Sequence, residues 1–427
     1  MNALSHLAAS LVDRLAVPIA LEWPGGRAGP ANAPVQLKLR EWHQLAALLM
    51  GRIGSVGNAY VRGELDIEGR LRDVMDVAAE LAHSPLQTAP PTPWTRVLRR
   101  ARSRRLHQRH RDAEQVRFHY DLSDDFFALW LDCRRVYSCA YYQNPAMTLA
   151  QAQEAKLEHI CRKLQLQPGQ RFLDIGAGWG GLLLWAAEHY GVQALGITLS
   201  RDQHAHVQRL IEQKGLQGRV EIRLLDYRDL PPTERFHRIA SIGMCEHVGM
   251  ANLDGYFVQL WQLLEPGGLL LNHSITAGSV HSNPMGAGLS EFIETHIFPG
   301  GELVHVSEQA RSLSACGLEL LDAENLRPHY ARTLWDWSLA LESQLGRARE
   351  LAGETAVRAY RLYLAGSATA FERGWLSLYQ LLASRPDGNL GTGELRGAQC
   401  GYPFNRAHMY REPPLPMFCG AGQAASV

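Results

Sequence analysis

Several features are scarce in this chain of 427 residues, and each absence narrows its class. The 43 basic and 43 acidic residues leave no formal net charge, so the composition does not favour nucleic acid as a partner. The seven cysteines include no C-x-x-C pair. An odd, scattered set fits neither a zinc site nor a disulfide framework. We therefore expect reduced thiols, no metal and a cytoplasmic location.

Long hydrophobic runs are also missing. The first residues, MNALSHLAASLVDRLAV, carry Asp13 and Arg14 within their apolar part and have no basic start, which is atypical of a signal peptide. No apolar run approaches the length that crosses a bilayer. The apolar content of 46% is nevertheless ample for a packed core. Any work on a membrane would be done from its surface.

The chain divides into segments of different composition, and its length favours two or three domains. Residues 1–85 combine amphipathic helical patterns with short strands and predict a small α+β unit. Residues 86–116 form a linker that begins with proline-rich QTAPPTPW. Residues 117–385 predict a long α/β unit, and residues 386–427 predict an irregular tail rich in glycine and proline.

The linker contains the one strong charge cluster of this neutral chain. Residues 96–111, RVLRRARSRRLHQRHR, hold eight arginines and no acidic residue. A solvated basic helix is one interpretation. Attraction to an anionic membrane surface is the functional alternative, since each basic residue near such a surface contributes about 1 kcal/mol. RNA binding is disfavoured because no aromatic platform or recognisable module accompanies the arginines.

Strand and helix patterns alternate after Thr148, which with Gln151 fits a capping box. This alternation predicts a mostly parallel sheet with helices on both faces. Ligands in such sheets bind at the carboxyl ends of the strands, where we expect a glycine turn that follows the first strand, Asp226, Glu246 and His273. The pattern breaks at about 277–335, which predicts an insertion that covers this edge of the sheet.

A glycine-rich turn, FLDIGAGWGG, lies between the first strand and its helix at residues 172–181. Gly176, Gly178 and Gly181 fit G-x-G-x-x-G, a spacing that alone is compatible with NAD or with a packing turn. A NAD site favours an acid at the end of the next strand, but VQALGITLS has none. Asp174 suits the ammonium group of S-adenosylmethionine (SAM) better than a diphosphate. We therefore predict SAM as the cofactor.

Seven motifs in order resemble those of the cyclopropane fatty acid synthase family of SAM-dependent methyltransferases. They cover roughly residues 117–383 and are YDLSDDFFALWLD, YSCAYY, LDIGAGWGG, GITLSRDQ, SIGMCEHVG, HIFPGG and RPHYARTL; AYVRGELDIEG extends the match toward the N terminus. The resemblance implies a class I methyltransferase (Rossmann-like) fold with a lipid-handling N-terminal domain. It also implies methylene transfer from SAM to a cis double bond of a phospholipid acyl chain.

The family pattern implies two sets of site residues. The SAM set is Tyr137, Ser138, Asp174, Gly176, Gly178, Thr198, Gln203 and Asp226. A second set would hold a bicarbonate ion that serves as the base, and it consists of Cys139, through its backbone N–H, Glu246, His273 and Tyr330. A peripheral position at the inner face of the membrane and a homodimer are further expectations.

One position departs from the family pattern. Relatives often carry a cysteine in a segment similar to YLAGSATAF, where this chain has Ser367. This difference questions a role for a thiol and the identity of the product. A methylene-branched or methyl-branched fatty acid is therefore an alternative product. A non-catalytic lipid-binding relative and a small-molecule methyltransferase are weaker alternatives.

Overall fold

The N-terminal unit is built around a small sheet. The structure, a computed structural model, describes residues 3–108, 111, 123–387 and 405–410. The first of these contain α1 (Ala3–Val12), β1 (Ile19–Trp23), β2 (Gly26–Ala28), β3 (Val35–Leu39), α2 (Trp42–Leu49), α3 (Ile53–Val61), β4 (Leu65–Glu68) and α4 (Leu71–Leu81). In the described residues the sheet has the order β2-β1-β3-β4, with β1 and β3 parallel. Alternating apolar residues in β3 bury one face of this sheet.

Part of the predicted linker forms a helix, α5 (Pro93–Leu106), which includes most of the basic segment. The Thr92 side chain accepts a hydrogen bond from the Thr95 N–H, and Pro93 occupies the first turn, so the N terminus is well capped. Residues 109, 110 and 112–116 of the linker lie outside the described residues.

The central sheet contains seven strands in the described part of the chain, in the order β10-β11-β9-β8-β5-β6-β7. Strands β5 to β9 are parallel to one another, and β11 is antiparallel to β9 and β10. The strand order reverses between β5 and β8, which places a ligand crevice at their carboxyl ends. The elements up to β9 are α6 (Asp124–Ala128), α7 (Leu149–Lys163), β5 (Arg171–Ile175), α8 (Gly181–Tyr190), β6 (Gln193–Thr198), α9 (Arg201–Gln213), β7 (Val220–Leu224), β8 (Phe236–Ile242), α10 (Cys245–Val248), α11 (Leu253–Leu263) and β9 (Leu264–Ala277).

The C-terminal part of the predicted insertion at about 277–335 is wrong. After β9 come α12 (Leu289–His296), α13 (Val306–Ala315), β10 (Glu319–Asn325), α14 (Arg327–Glu342), α15 (Leu345–Glu372) and β11 (Leu376–Ser384). Strand β10 belongs to the sheet, at an edge where its mixed burial hides the strand pattern. Two separate segments therefore cover the site, namely residues 278–305 and the helical pair α14–α15.

The N-terminal unit and the helical cover share one hydrophobic core, which runs from Ala8 in α1 to Phe371 in α15. Helix α3 meets the cover backbone to backbone, and the Gly54 N–H donates to the Ala287 carbonyl over 2.8 Å. A Cβ at Gly54 would lie 1.9 Å from the Gly288 oxygen, so only glycine permits this approach. This contact fixes the N-terminal unit against the insertion.

Three further expectations concern the whole chain. Cys139, Cys161, Cys245 and Cys316 are free thiols, but Cys133 is disulfide-bonded, so the expectation of reduced thiols is wrong for Cys133. Most of the predicted tail lies outside the described residues, although the short 3-10 helix Ala407–Tyr410 packs on α7. Across the described residues, no helix is long and apolar enough to cross a membrane.

Candidate active site

The glycine turn adopts the backbone that its sequence predicts. Gly176, Gly178 and Gly180 have φ of +74°, +55° and +85°, a region that favours glycine. Gly176 and Ala177 donate backbone hydrogen bonds to the Ile197 carbonyl, so β6 holds the turn in place. The nearest non-neighbouring atom to a Cβ at Gly178 is 4.0 Å away. The Gly178 backbone can therefore be approached closely by a ligand.

Three of the predicted SAM residues lie at the carboxyl edge around this turn. Asp174 in β5 is buried, and its burial raises the pKa of the carboxyl to about 7. Thr198 ends β6, and its hydroxyl donates to the Gln203 Oε1 over 2.8 Å. Both Thr198 and Gln203 are buried beside the turn. The strand-end position that holds an acid in NAD sites is thus a hydroxyl and amide pair.

Asp226 lies just beyond β7, as predicted, but its carboxylate is already engaged. Arg228 donates to both carboxylate oxygens, over 2.8 Å and 2.6 Å. Oδ1 also accepts from the Arg228 N–H over 2.9 Å, so Oδ2 is the oxygen that keeps a lone pair for a ligand amine. The sequence pattern did not predict this local ion pair, because it forms in the tight 3-10 turn Tyr227–Asp229 that follows β7.

The loop with Tyr137, Ser138 and Cys139 is held from two sides. On one side, Gln153 of α7 donates to the Ser138 carbonyl over 2.8 Å, and the Lys156 ammonium donates to the Ser138 hydroxyl over 2.9 Å. On the other side, the Ala140 N–H donates to the Thr333 hydroxyl of α14 over 3.0 Å. These contacts fix a loop that has no regular structure of its own.

Lys156 is a functional candidate that the motifs did not reveal. The side chain is 2% exposed, and no carboxylate among the described residues lies within ion-pair distance. Burial lowers the pKa of its ammonium to about 8, while Asp132 and Asp174 oppose that change. The sequence does contain an indication of it, because Lys156 is a charged residue between Ala152 and Ile160 on the apolar face of α7.

An apolar cavity of about 500 Å³ lies beside this loop. Its walls come from the N-terminal unit, from α5, from the segment 278–305, from α14 and from α15. Tyr137, Ser138, Cys139, Glu246, His273 and Tyr330, which the sequence placed in two sets, all line it. The volume falls within the usual range of about 300–1,000 Å³ for small-molecule sites.

Glu246 is in the short helix α10, four residues beyond the strand whose end the sequence predicts to carry it. Its Oε1 accepts from the Ile275 N–H over 2.7 Å. Its Oε2 is buried and has no hydrogen-bond partner among the described residues. Burial raises the pKa of Glu246 to about 7. A group in this environment is poised to exchange a proton near neutral pH.

His273 lies within β9 rather than after it, which corrects the predicted position. It pairs with Ile242 at the end of β8, so it still reaches the carboxyl edge. Burial, together with the nearby Lys156, holds the pKa of the imidazole well below its usual range, so the ring is neutral. Its Nδ1 lies 3.2 Å from the Gln380 Nε2, and its Nε2 has no partner among the described residues. With the amide as placed, the ring proton is on Nε2.

The thiol and the backbone N–H of Cys139 differ in their hydrogen bonding. The thiol donates to the Ala140 and Leu326 carbonyls, and burial raises its pKa well above the usual range, so no thiolate forms. The Cys139 N–H has no acceptor within the part of the chain that the structure describes. The backbone group is therefore the one available to a ligand in the cavity. Tyr330 packs against Phe371 at the same wall.

Sheet order, glycine turn and carboxyl-edge residues together define a class I SAM-dependent methyltransferase. Comparison with known proteins gives the family, because the sequence model of the mycolic acid cyclopropane synthetase family matches residues 107–381. The chain belongs to this family, of the cyclopropane fatty acid synthase type predicted from its motifs, and binds SAM. The predicted SAM-dependent fold and enzyme class are thereby confirmed.

Individual relatives extend over most of the chain. A probable fatty acid methyltransferase of Pseudomonas putida is 41% identical over 402 residues, which cover 94% of this chain and 98% of that protein. Cyclopropane mycolic acid synthase 1 of Mycobacterium tuberculosis is 39% identical over 278 residues, 63% of this chain and 96% of that protein. The structure of mycolic acid cyclopropane synthase CmaA1 complexed with SAH and CTAB has 38% identity and a TM-score of 0.60, and the match covers 64% of this chain and 97% of that one.

Proposed function

We propose that this enzyme transfers a one-carbon unit from SAM to the cis double bond of an unsaturated acyl chain in a membrane phospholipid, and that the product is a cyclopropane fatty acid. One observation carries the proposal. The apolar cavity joins the N-terminal unit to the buried polar residues beside the predicted SAM loop. A long hydrocarbon fits such a wall, and the names of the relatives concern fatty and mycolic acids.

The chemistry explains why the site combines apolar walls with buried polar groups. The π electrons of the alkene form a bond to the sulfonium methyl carbon, and the carbon–sulfur bond breaks to leave S-adenosylhomocysteine. A carbocation remains on the acyl chain. A proton then leaves the new methyl group, and its electron pair closes the ring. The cation must be kept from water, which the buried aromatic and aliphatic walls achieve, and the Glu246 carboxylate supplies nearby negative charge.

The residues present fit a small hydrogen-bonding anion such as bicarbonate. Glu246 Oε2 and His273 Nε2 are buried orphans on the cavity wall, and the Cys139 N–H is a third unused group. With its proton on Nε2, His273 would donate, as would the Cys139 N–H, while Glu246 at a pKa of about 7 could share a proton with the ion. Tyr330 would close the same wall. Bound there, bicarbonate would supply a base of moderate strength.

A branched product is the second candidate, because the first step is common to both and only the departing proton differs. Ser367 lines the cavity at the position where relatives often carry a cysteine, and this difference is the reason to test for a branched product. The experiment is mass spectrometry of lipids from cells that express the enzyme. A gain of one CH₂ with loss of the double bond indicates a ring. A gain of CH₂ with a double bond retained indicates a methylene branch and would overturn the cyclopropane product.

We also propose peripheral attachment to an anionic membrane, on the cytoplasmic side where the leaflet is negative. The arginines at 96–111 do not contribute equally. Arg99 donates to Asn283 over 3.0 Å, and Arg102 pairs with Glu294 over 2.7 Å, so both are engaged within the protein. Arg96, Arg100, Arg104 and Arg105 are exposed and available to headgroups.

A further inference from the structure

Helix α5 carries an apolar stripe on the side that faces solvent. Trp94, Val97 and Leu98 are 76%, 60% and 62% exposed. With Ala101 they follow the i, i+3, i+4, i+7 spacing of one helical face, named here the outer stripe. Single exposed apolar residues are ordinary, but several together on one face usually mark an interaction site.

The opposite side of α5 is fixed to the protein, so the outer stripe cannot turn inward. Arg99 donates to the carbonyls of His281 and Ser282 as well as to Asn283. The Ser103 hydroxyl donates to Glu302 over 2.6 Å and accepts from the Ala251 N–H. The helix is therefore a docked element with a permanent outer face.

The same helix forms part of the rim of the apolar cavity. Arg99, Arg102 and Leu106 line the cavity from the inner side of α5, and Met285 and Phe292 of the cover line the same cavity. The outer stripe and the cavity are thus two sides of one helix. Whatever surface the outer stripe contacts lies next to an edge of the cavity.

We propose that the outer stripe inserts into the interfacial region of an anionic phospholipid bilayer and holds the cavity rim against the lipid. The charge pattern fits, because α5 has no acidic residue and Arg96, Arg100, Arg104 and Arg105 are exposed. By helical spacing, Arg100 and Arg104 lie beside the outer stripe and Arg105 continues its line. Helices that lie in a membrane interface combine Trp and Leu on one face with basic residues beside them. Such insertion would deliver an acyl chain to the cavity, an interpretation that rests on the proposed function.

A second copy of the chain is a less suitable occupant. In a two-fold contact the same surface meets itself, so one arginine-rich helix face would meet another arginine-rich helix face. Like charges brought together in this way oppose association. A bilayer surface offers apolar chains under a layer of negative charge and satisfies both features of the helix.

The test compares three variants of the full chain in sedimentation with vesicles of phosphatidylglycerol and phosphatidylcholine. The stripe variant is Trp94→Ser, Val97→Ser, Leu98→Ser, and the charge variant is Arg96→Gln, Arg100→Gln, Arg104→Gln, Arg105→Gln. The matched control, Val258→Ser with Leu339→Ser, removes residues that are 42% and 66% exposed elsewhere. Thermal unfolding checks that all three fold like the wild type.

We expect the stripe variant to bind vesicles at least tenfold more weakly at both low and high salt. The charge variant should bind more weakly than the wild type at low salt only. At high salt the arginines of the wild type are screened, so the two proteins should bind alike. The control should match the wild type. Unchanged vesicle binding by the stripe variant would overturn the proposal. So would a change confined to self-association in ultracentrifugation, which would make the outer stripe a subunit interface.

Activity separates this proposal from the proposed function. The stripe variant should turn over lipid dispersed in detergent micelles at the wild-type rate and lose at least tenfold in rate on vesicles. A tenfold loss on micelles as well would mean that the outer stripe serves the site itself and would contradict membrane docking. If the wild type modifies no lipid at all, the proposed function fails, while the vesicle measurement still decides whether α5 inserts.

Discussion

The Lys156 ammonium donates a hydrogen bond to the Ser138 hydroxyl over 2.9 Å in a buried setting. This contact joins the centre of α7 to the loop predicted to bind SAM. It also places a cation close enough to Asp174 to oppose the burial-driven rise of the pKa of that carboxyl. A buried charge without an ion-pair partner is costly, and we therefore expect Lys156 to contact an anionic group of a bound ligand.

Replacing Lys156 should weaken SAM binding more than replacing Ser138 does. Lys156→Gln retains a donor toward Ser138 but removes the charge, whereas Ser138→Ala removes only the hydroxyl. Hydrogen bonds to charged groups contribute about 1.5–3 kcal/mol, so we expect at least a tenfold rise in Kd for Lys156→Gln. Isothermal titration measures it. Equal, small effects of both substitutions would show that Lys156 is only a loop support.

Glu246→Gln should lower turnover by about 10²–10³, because the charge beside the developing cation is lost. The amide oxygen can still accept from Ile275, so SAM affinity should stay nearly unchanged. Titration and single-turnover kinetics separate the two quantities. Parallel loss of SAM affinity and rate would instead make Glu246 a binding or folding residue.

The pH dependence follows from the raised pKa of Glu246. Below about pH 7 the carboxyl is protonated and neutral, so kcat/KM should fall as pH decreases through this value, and Glu246→Gln should remove that limb. The pH dependence of folding stability has the opposite direction to that of kcat/KM. The contribution of the neutral, buried carboxyl is complete below the unfolded value of about 4.5 and is lost as pH rises through about 7.

Chemical unfolding checks this sign. Glu246→Gln should gain stability relative to the wild type between about pH 4.5 and 7, by an amount on the order of 3 kcal/mol. A constant stability difference over that range would mean that the carboxyl is not desolvated in the folded enzyme.

Gly178→Val should abolish SAM binding because its side chain would occupy the backbone surface that the ligand approaches. The φ of +55° adds backbone strain of about 1–2 kcal/mol for any other residue. Gly218→Val is the matched control, since Gly218 has a φ of +78° and open space around its Cβ. The control should lose similar stability and bind SAM normally. Comparable loss of SAM binding in both would indicate strain rather than steric blockage.

Ser367→Cys should change turnover by less than about tenfold, or roughly 1.4 kcal/mol of barrier. Ser367 lines the cavity from α15, and among the described residues no acid or histidine hydrogen-bonds its hydroxyl, so it has no base to activate it. Ser367→Phe should block the acyl chain and lose far more. If the wild type is inactive and Ser367→Cys restores activity, Ser367 is not simply part of the cavity wall.

The sequence alone predicted the class of fold, because alternating strands and helices around a glycine turn are local signals. Thr148 and Gln151 form the predicted capping box, and glycines of the predicted turn have positive φ angles. Seven ordered motifs pointed to the family. Local patterns were thus enough to predict that Asp226, Glu246 and His273 lie near the carboxyl ends of strands.

Only the tertiary structure decided what those residues touch. The insertion was mislocated because β10 is an edge strand whose pairing with β11 is not encoded in its own pattern. Lys156 was missed because one polar residue in an apolar helical face gives no partner until the Ser138 loop packs against it. The outer stripe of α5 emerged only when docking fixed which side of the helix is buried, since burial depends on contacts between residues far apart in sequence.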